Sequence, residues 1–202
     1  MVVFGLVTFL IAFTAITVQN SSGNTVQLPT SINLSETKQL SPIFTSSVQH
    51  WSLKILTWSD QYGVDPNLIA TVMQIESCGN PQAQSSAGAS GLFQVMPFHF
   101  AESENPFDPD TNAYRGIEYL SSSLSNANGD AGYALAGYNG GIGIISTDQA
   151  YWAEETIDYM YWGSGIYNDA VNGLENSPRL QEWLNAGGYS LCSSAQLSLG
   201  LP

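Results

Sequence analysis

The side chain best placed for acid chemistry in this 202-residue chain is Glu76. It ends a largely apolar run, residues 68–75, and a loop rich in Gly, Ser and Ala follows before a second apolar segment at residues 91–97. A carboxyl group held against apolar side chains resists ionisation near neutral pH, which is what a general acid requires. The setting makes Glu76 a candidate for a catalytic acid. The alternative interpretation is an ordinary solvent-facing carboxylate at a helix end.

Four short motifs include or follow this acid in the chain. They are Glu76-Ser77 with residues 85–97 (SSAGASGLFQVMP), residues 112–120 (NAYRGIEYL), residues 134–141 (ALAGYNGG) and residues 155–159 (ETIDY). Their residue types and order resemble the lytic transglycosylase domain of the goose-type-lysozyme-like superfamily. The resemblance covers about residues 55–168. It implies a mainly α (α+β lysozyme-like) fold, with a single helical catalytic domain and a sugar-binding cleft.

The resemblance also implies roles for individual side chains, with Glu76 as the catalytic acid and base. The positions that match substrate-binding residues are Ser85, Gln94, Met96, Tyr138 and Glu155. Ser85 has an alternative as a turn residue, and the Gln94 amide can instead bond a backbone carbonyl. His99 either borders the cleft or caps a turn, and we favour the turn. The aromatic cluster formed by Trp152, Tyr159, Tyr161, Trp162 and Tyr167 is interpreted as core rather than as a sugar platform.

The activity implied by the resemblance is peptidoglycan lytic transglycosylation. Such an enzyme cleaves the β-1,4 bond between MurNAc and GlcNAc and forms 1,6-anhydro-MurNAc. The C6 hydroxyl of the sugar is the nucleophile, so the second carboxylate of a conventional glycosidase is not needed. We expect no cofactor and no metal. Two alternatives stay open: a hydrolytic muramidase (lysozyme) on the same fold, and a non-catalytic glycan-binding domain.

The charge balance limits the partners. Only four residues are basic and seventeen are acidic, for a net charge of -13. No basic patch can form from so few cations, which excludes nucleic acid and argues against docking on anionic lipid. Peptidoglycan glycan strands remain the expected partner, and we expect a monomer.

The amino-terminal part of the chain predicts export. Residues 1–18 are apolar and carry no charged side chain, which is typical of a signal peptide or a short membrane anchor. Residues 19–40 are polar and predict a flexible linker, so the folded domain is expected over 41–202, with an extension from about 172. An extracellular or cell-envelope location follows. A retained anchor would keep the protein in the membrane fraction through a high-salt wash.

The two cysteines, Cys78 and Cys192, are the only ones in the chain. In an exported protein such a pair indicates one disulfide, which would join the carboxyl-terminal extension to the loop beside Glu76. Two unrelated free thiols are the alternative. Neither cysteine has a second Cys or His at the spacing of a metal site.

Cap and proline signals predict six helices in the folded domain. Their predicted positions are residues 42–62 after Ser41-Pro42 and before Gly63, a helix after Asp65-Pro66, a helix capped by Asp110, a helix capped by Asp130, a helix from about Gln149 to Tyr161, and a last short helix from Ser177-Pro178. A small irregular β element is expected in the 80–95 loop.

Overall fold

The helix that carries Glu76 begins as the sequence predicts. The Asp65 carboxylate accepts a hydrogen bond from the backbone N–H of Asn67 at 2.8 Å, and Pro66 takes the first helical position. Five apolar side chains of this helix are at most 2% exposed: Leu68, Ile69, Ala70, Val72 and Met73. A helix buried this deeply forms the centre of the fold and holds its last residue, Glu76, in place.

The computed structural model describes residues 39–202, and this part of the chain is built from helices. The α-helices are α1 (Ser46–Gln49), α2 (Ser52–Tyr62), α3 (Pro66–Glu76), α4 (Pro109–Asn126), α5 (Ala131–Gly140), α6 (Glu154–Val171), α7 (Pro178–Trp183) and α8 (Tyr189–Leu199). Short 3-10 turns cover Pro97–His99, Ile142–Ser146 and Gln149–Tyr151. The mainly α fold expected from the sequence is thereby confirmed.

The helices pack around α3 and α6. Helix α6 contacts α3, α5 and α7, while α4 packs on α5 and on α2. The small β element expected in the 80–95 loop consists of two isolated bridges, Gln84 with Ser90 and Ser90 with Val95. Within residues 39–202, no helix is both long and apolar enough to cross a bilayer. The predicted signal or anchor at 1–18 lies outside the described residues.

The first predicted helix, residues 42–62, is wrong in its start and its continuity. Residues 41–45 form no helix, because α3 side chains take their backbone donors: Ser41 N–H bonds the Asn67 side chain, and Thr45 N–H bonds Gln74 Oε1. A break at Trp51 then separates α1 from α2. The predicted end is confirmed, since Gly63 closes α2 with a left-handed backbone, φ 69°.

The predicted cap Asp110 is also wrong, by two residues. Asp108 caps α4 and accepts the Thr111 N–H at 2.8 Å, because Pro109 takes the first helical position and so makes the preceding residue the cap. The carboxylate of Asp110 instead pairs with Lys54 Nζ at 2.7 Å. The predicted cap Asp130 is confirmed on α5.

The fifth predicted helix was placed too early and ended too soon. Residues 149–151 form a separate short turn, extended backbone at Trp152 and Ala153 follows, and α6 then runs to Val171. Gly163 and Gly165 do not stop it. They let the side chains of Leu135 and Arg179 approach the helix closely.

The carboxyl-terminal segment contains one more helix than predicted. Ser177 caps α7 as expected, but α7 is not the last helix, since a turn with Gly187 at φ 135° leads into α8. The sequence of α8 is rich in serine and buries only Cys192 and Ala195, so its apolar periodicity is weak. Cys192 forms the predicted disulfide with Cys78, with a Cα–Cα distance of 5.0 Å, and this confirms the bridge.

Candidate active site

Glu76 lies at the carboxyl end of α3, with its carboxyl group bound to a buried tyrosine. The hydroxyl of Tyr159 on α6 donates a hydrogen bond to Glu76 Oε1 at 2.8 Å. Directly after Glu76 the chain turns sharply, with Cys78 at φ 51° and Gly79 at φ 83°. At Gly79 a Cβ would collide with the carbonyl of Ser47, so only glycine fits there.

Burial raises the pKa of the Glu76 carboxyl to about 8. The hydrogen bond from Tyr159 acts in the opposite direction and lowers this pKa, while the negative charge of Glu155 raises it further. Burial removes water that would stabilise the carboxylate, which is why it is the largest of the three effects. Glu76 is therefore protonated at neutral pH. When it ionises, the Tyr159 hydroxyl can donate a hydrogen bond to the carboxylate.

The backbone of residues 90–93 is held by the amide of Asn112 on α4. Its Nδ2 donates to Ser90 O at 2.7 Å and Pro106 O at 2.9 Å, and its Oδ1 accepts the Phe93 N–H at 2.8 Å. The Ser77 hydroxyl also joins this region to the end of α3, by donating to Leu92 O at 2.7 Å. Every partner is a backbone group, so these bonds fix the path of the chain between residues 90 and 93.

Two cavities adjoin this centre. The first, about 270 Å³, lies between the 94–99 segment, α4 and α5, and Tyr138 lines it. The second, about 440 Å³, is bordered by α3, α6 and α7, and Tyr159 lines it. Burial raises the pKa of each of these tyrosines well above its usual value, and the charge of Glu76 raises it further. The carboxyl group is thus close to a tyrosine from each cavity.

Three of the predicted substrate-binding residues line the first cavity: Gln94, Met96 and Tyr138. The Gln94 amide donates to the backbone carbonyls of Ala83 and Gly91. This is the backbone bonding that was named above as the alternative to sugar binding. The hydroxyl of Tyr138 donates to Phe93 O at 2.7 Å. The structure brings these side chains together, and contact with a sugar stays a prediction for each.

The other two predicted residues lie elsewhere. Glu155, in the first turn of α6, lines the second cavity. Ser85 is exposed, and its hydroxyl accepts the Ala89 N–H at 3.0 Å, which is the turn role named as its alternative. His99 is the last residue of a 3-10 turn and also borders the first cavity, and whether this cavity is the sugar cleft stays a prediction.

Sequence reasoning missed the role of Tyr159. Tyr159 was predicted to be a core residue, and its burial agrees with that, since only 6% of it is exposed. Its hydroxyl, however, bonds to the carboxyl group of Glu76. Its place in the 155–159 motif, four residues after Glu155, was the available signal. Trp183, which lines the second cavity, was missed as a site residue, and no motif marked it.

The chain is similar in sequence to known proteins. The profile of the Transglycosylase SLT domain matches residues 54–160, just over half of the chain. A protein named Transglycosylase from Enterobacteria phage PRD1 is 41% identical over 117 residues, covering 56% of this chain and 42% of that protein. Membrane-bound lytic murein transglycosylase C of Photorhabdus laumondii is 34% identical over 133 residues, covering 55% of this chain and 37% of that protein.

Among solved structures, the X-ray structure of an inactive mutant of the lytic transglycosylase Slt from Pseudomonas aeruginosa aligns with a TM-score of 0.49 and 25% identity. It covers 63% of this chain and 25% of that one. The chain spans about two fifths of the length of the phage and Photorhabdus relatives. The matched region runs from α2 into α6 and includes both Glu76 and Tyr159. On this match the chain belongs to the Transglycosylase SLT domain family.

Proposed function

We propose that this protein is a peptidoglycan lytic transglycosylase. Its substrate would be the glycan strand, cut at the β-1,4 bond between MurNAc and GlcNAc with formation of 1,6-anhydro-MurNAc. The observation that carries the proposal is Glu76, a carboxyl group protonated at neutral pH that also has a donor for its ionised form. Acid and base work by one group requires both states.

In the proposed reaction Glu76 first gives its proton to the glycosidic oxygen, and the bond from that oxygen to C1 breaks. The resulting carboxylate is stabilised by the hydrogen bond from Tyr159. It then takes the proton of the C6 hydroxyl, whose oxygen forms the new bond to C1. The proton count balances within the cycle and no water is consumed.

The substrate is proposed to lie across the two cavities. Gln94, Met96 and Tyr138 would contact the sugar in the first cavity, and Glu155 would contact it in the second. Both cavities combine polar groups with aromatic rings, the usual lining of a sugar site. Ser85 stays a proposed contact for the N-acetyl group, although its hydroxyl serves a turn here.

A second candidate is hydrolysis by the same acid, and Glu155 is the observation that favours it. This carboxylate is near enough to Glu76 to raise its pKa. Paired carboxylates are the usual equipment of hydrolytic glycosidases. In that case a water molecule, not the C6 hydroxyl, would attack C1.

The products distinguish the two reactions. Mass spectrometry of digested peptidoglycan should show anhydro ends, and the Glu76→Gln variant should lose at least about a thousandfold in rate while keeping its fold. Glu102→Gln, an exposed acid with the same change of charge, serves as control and should cut normally. Products that carry one added water per cut would exclude the transglycosylase. Unchanged cutting by Glu76→Gln would exclude both candidates.

We also propose that the protein works in the cell envelope or outside the cell, as a monomer and without a cofactor. The disulfide supports export, because such bonds persist in oxidising compartments. Residues 1–18 are proposed to act either as a cleaved signal peptide or as a retained membrane anchor.

A further inference from the structure

The second cavity has a wall that the matched family region does not supply. Its sides come from Ile75 on α3, Tyr159 and Trp162 on α6, and Trp183 on α7. Helix α7 lies beyond residues 54–160, the part matched by the family profile. Because the hydroxyl of Tyr159 contacts the Glu76 carboxyl, a ligand in this cavity would lie beside the proposed reacting centre.

The Trp183 indole is closely packed. It is only 7% exposed, and a Cβ on Gly188 would collide with its six-membered ring. The helix that carries it begins at a satisfied cap, where the Ser177 hydroxyl accepts the Leu180 N–H at 2.9 Å. An aromatic wall held this firmly can shape a ligand site with little loss of side-chain entropy on binding.

One side of the cavity is strongly negative. Glu154, Glu155 and Asp158 all line it from the first two turns of α6, and none forms a hydrogen bond or an ion pair with another described residue. The cations within residues 39–202 are each paired with a different carboxylate: Lys54, Arg115 and Arg179. Among the described residues, no Lys or Arg side chain lines this cavity beside the three carboxylates.

We propose that this cavity binds a primary ammonium group carried by the glycan substrate, with Trp183 and Asp158 as specificity-determining residues. The inference rests on the proposed function. Indole rings attract cations and pack against alkyl chains, while carboxylates select positive over negative charge. The same wall disfavours substrate groups that carry an extra carboxylate near the bond being cut.

Two parts of a cell-wall polymer can present such an amine. One is the side chain of a diamino acid in a stem peptide, and the other is the 2-amino group of a glucosamine that lacks its acetyl group. The cavity, at about 440 Å³, is far larger than a bare amine, since a water molecule occupies about 30 Å³ of liquid. Its size favours the alkylammonium of a peptide, and the experiment separates the two sources.

The test compares kcat/KM on matched strands at one salt concentration. Peptide-bearing strands with fully acetylated sugars are cut before and after chemical acetylation of their peptide amines. Peptide-free strands are cut with and without de-N-acetylated glucosamine. Acetylating the peptide amine should lower kcat/KM about fivefold, the size expected for a partly exposed cation site. A gain on de-N-acetylated strands instead would assign the ammonium to the sugar.

The variants then connect this preference to the cavity. Asp158→Asn should bring the ratio of kcat/KM with free and acetylated amine close to one, and Trp183→Phe should reduce it. Glu102→Gln makes the same change of charge on an exposed residue outside the cavity, and it should keep the wild-type ratio. If Trp183→Phe fails to fold, Asp158→Asn decides alone.

Two results overturn the inference. The first is a wild-type protein that cuts free-amine and acetylated substrates of both kinds equally, which refutes ammonium binding and leaves the transglycosylase intact. The second is an Asp158→Asn variant with an unchanged ratio. A wild-type protein that cuts none of the strands would instead refute the proposed function itself, and the inference with it.

Discussion

At the scale of the residue, Glu76 experiences two opposed effects. Burial favours its neutral form, and the Tyr159 hydroxyl favours its charged form. The first makes an acid at neutral pH, and the second limits how far the pKa rises, so that the proton can leave. The sequence predicted the acid, because its neighbours in the chain are apolar. It did not predict the donor, which is 83 positions away and arrives only when α6 packs on α3.

Removing this donor should shift the pH profile upward. In Tyr159→Phe the effect that lowers the pKa of Glu76 is lost, so that pKa rises and the alkaline limb of kcat/KM moves to higher pH. The rate at the optimum should fall about tenfold, since the carboxylate formed during the reaction loses a hydrogen bond. The profile is measured from about pH 5 to 10, a range that brackets the raised pKa of Glu76, about 8.

Tyr161→Phe, an exposed tyrosine on the same helix, should keep the wild-type profile. An alkaline limb that stays in place or moves to lower pH in Tyr159→Phe would contradict the assigned direction.

At the scale of the element, short-range rules located several helix starts and failed where tertiary contacts intervene. Asp65-Pro66 and Ser177-Pro178 begin helices because the cap and the proline act within one turn. Ser41-Pro42 has the same pattern and begins none, because its neighbourhood bonds to side chains of α3 instead. The helix α8 was missed because few of its side chains are apolar and buried.

The loop of residues 90–93 depends on one amide of α4. Asn112→Ala should lower the free energy of unfolding by about 2–4 kcal/mol, because two backbone carbonyls and one N–H lose their buried partner. Activity should fall as well, since Gln94 follows directly on the released segment. Denaturant unfolding measures the first effect.

Asn126→Ala provides the matched control for that change. It removes an exposed amide from the same helix, where the side chain bonds only to Ser122 O, and should change stability by less than about 0.5 kcal/mol. A loss of equal size in both variants would contradict the role assigned to Asn112.

At the scale of the whole molecule, the disulfide joins the carboxyl-terminal helix α8 to the turn that follows α3, beside the candidate active site. Cys78 lies two residues after Glu76, and Cys192 belongs to α8. Between α3 and this bridge the Gln74 amide is fully buried, with Oε1 accepting the Thr45 N–H and Nε2 donating to Cys78 Sγ at 2.9 Å. The bridge therefore belongs to the packing of α3 and not only to the tail.

Removing the bridge should destabilise the fold. The double variant Cys78→Ala with Cys192→Ala should lose about 2–5 kcal/mol of unfolding free energy, the range for a disulfide that closes a long loop. Denaturant melts with and without reductant measure the same quantity on the wild type. Ser193→Ala, an exposed neighbour on α8, should melt like the wild type. Identical midpoints for oxidised and reduced wild-type protein would refute the stabilising role.

The bridge also imposes an order in time. Cys192 follows Cys78 by 114 positions, so a ribosome that has just completed the acid and its loop must still make all of that chain before the two sulfurs can meet. At roughly 5–20 residues per second this interval lasts on the order of ten seconds. During this interval the nascent chain contains Glu76 but cannot form the Cys78–Cys192 bridge. For most of the interval it also lacks Trp183. The bridge, and the packing that it braces, can therefore be completed only after Cys192 has been made.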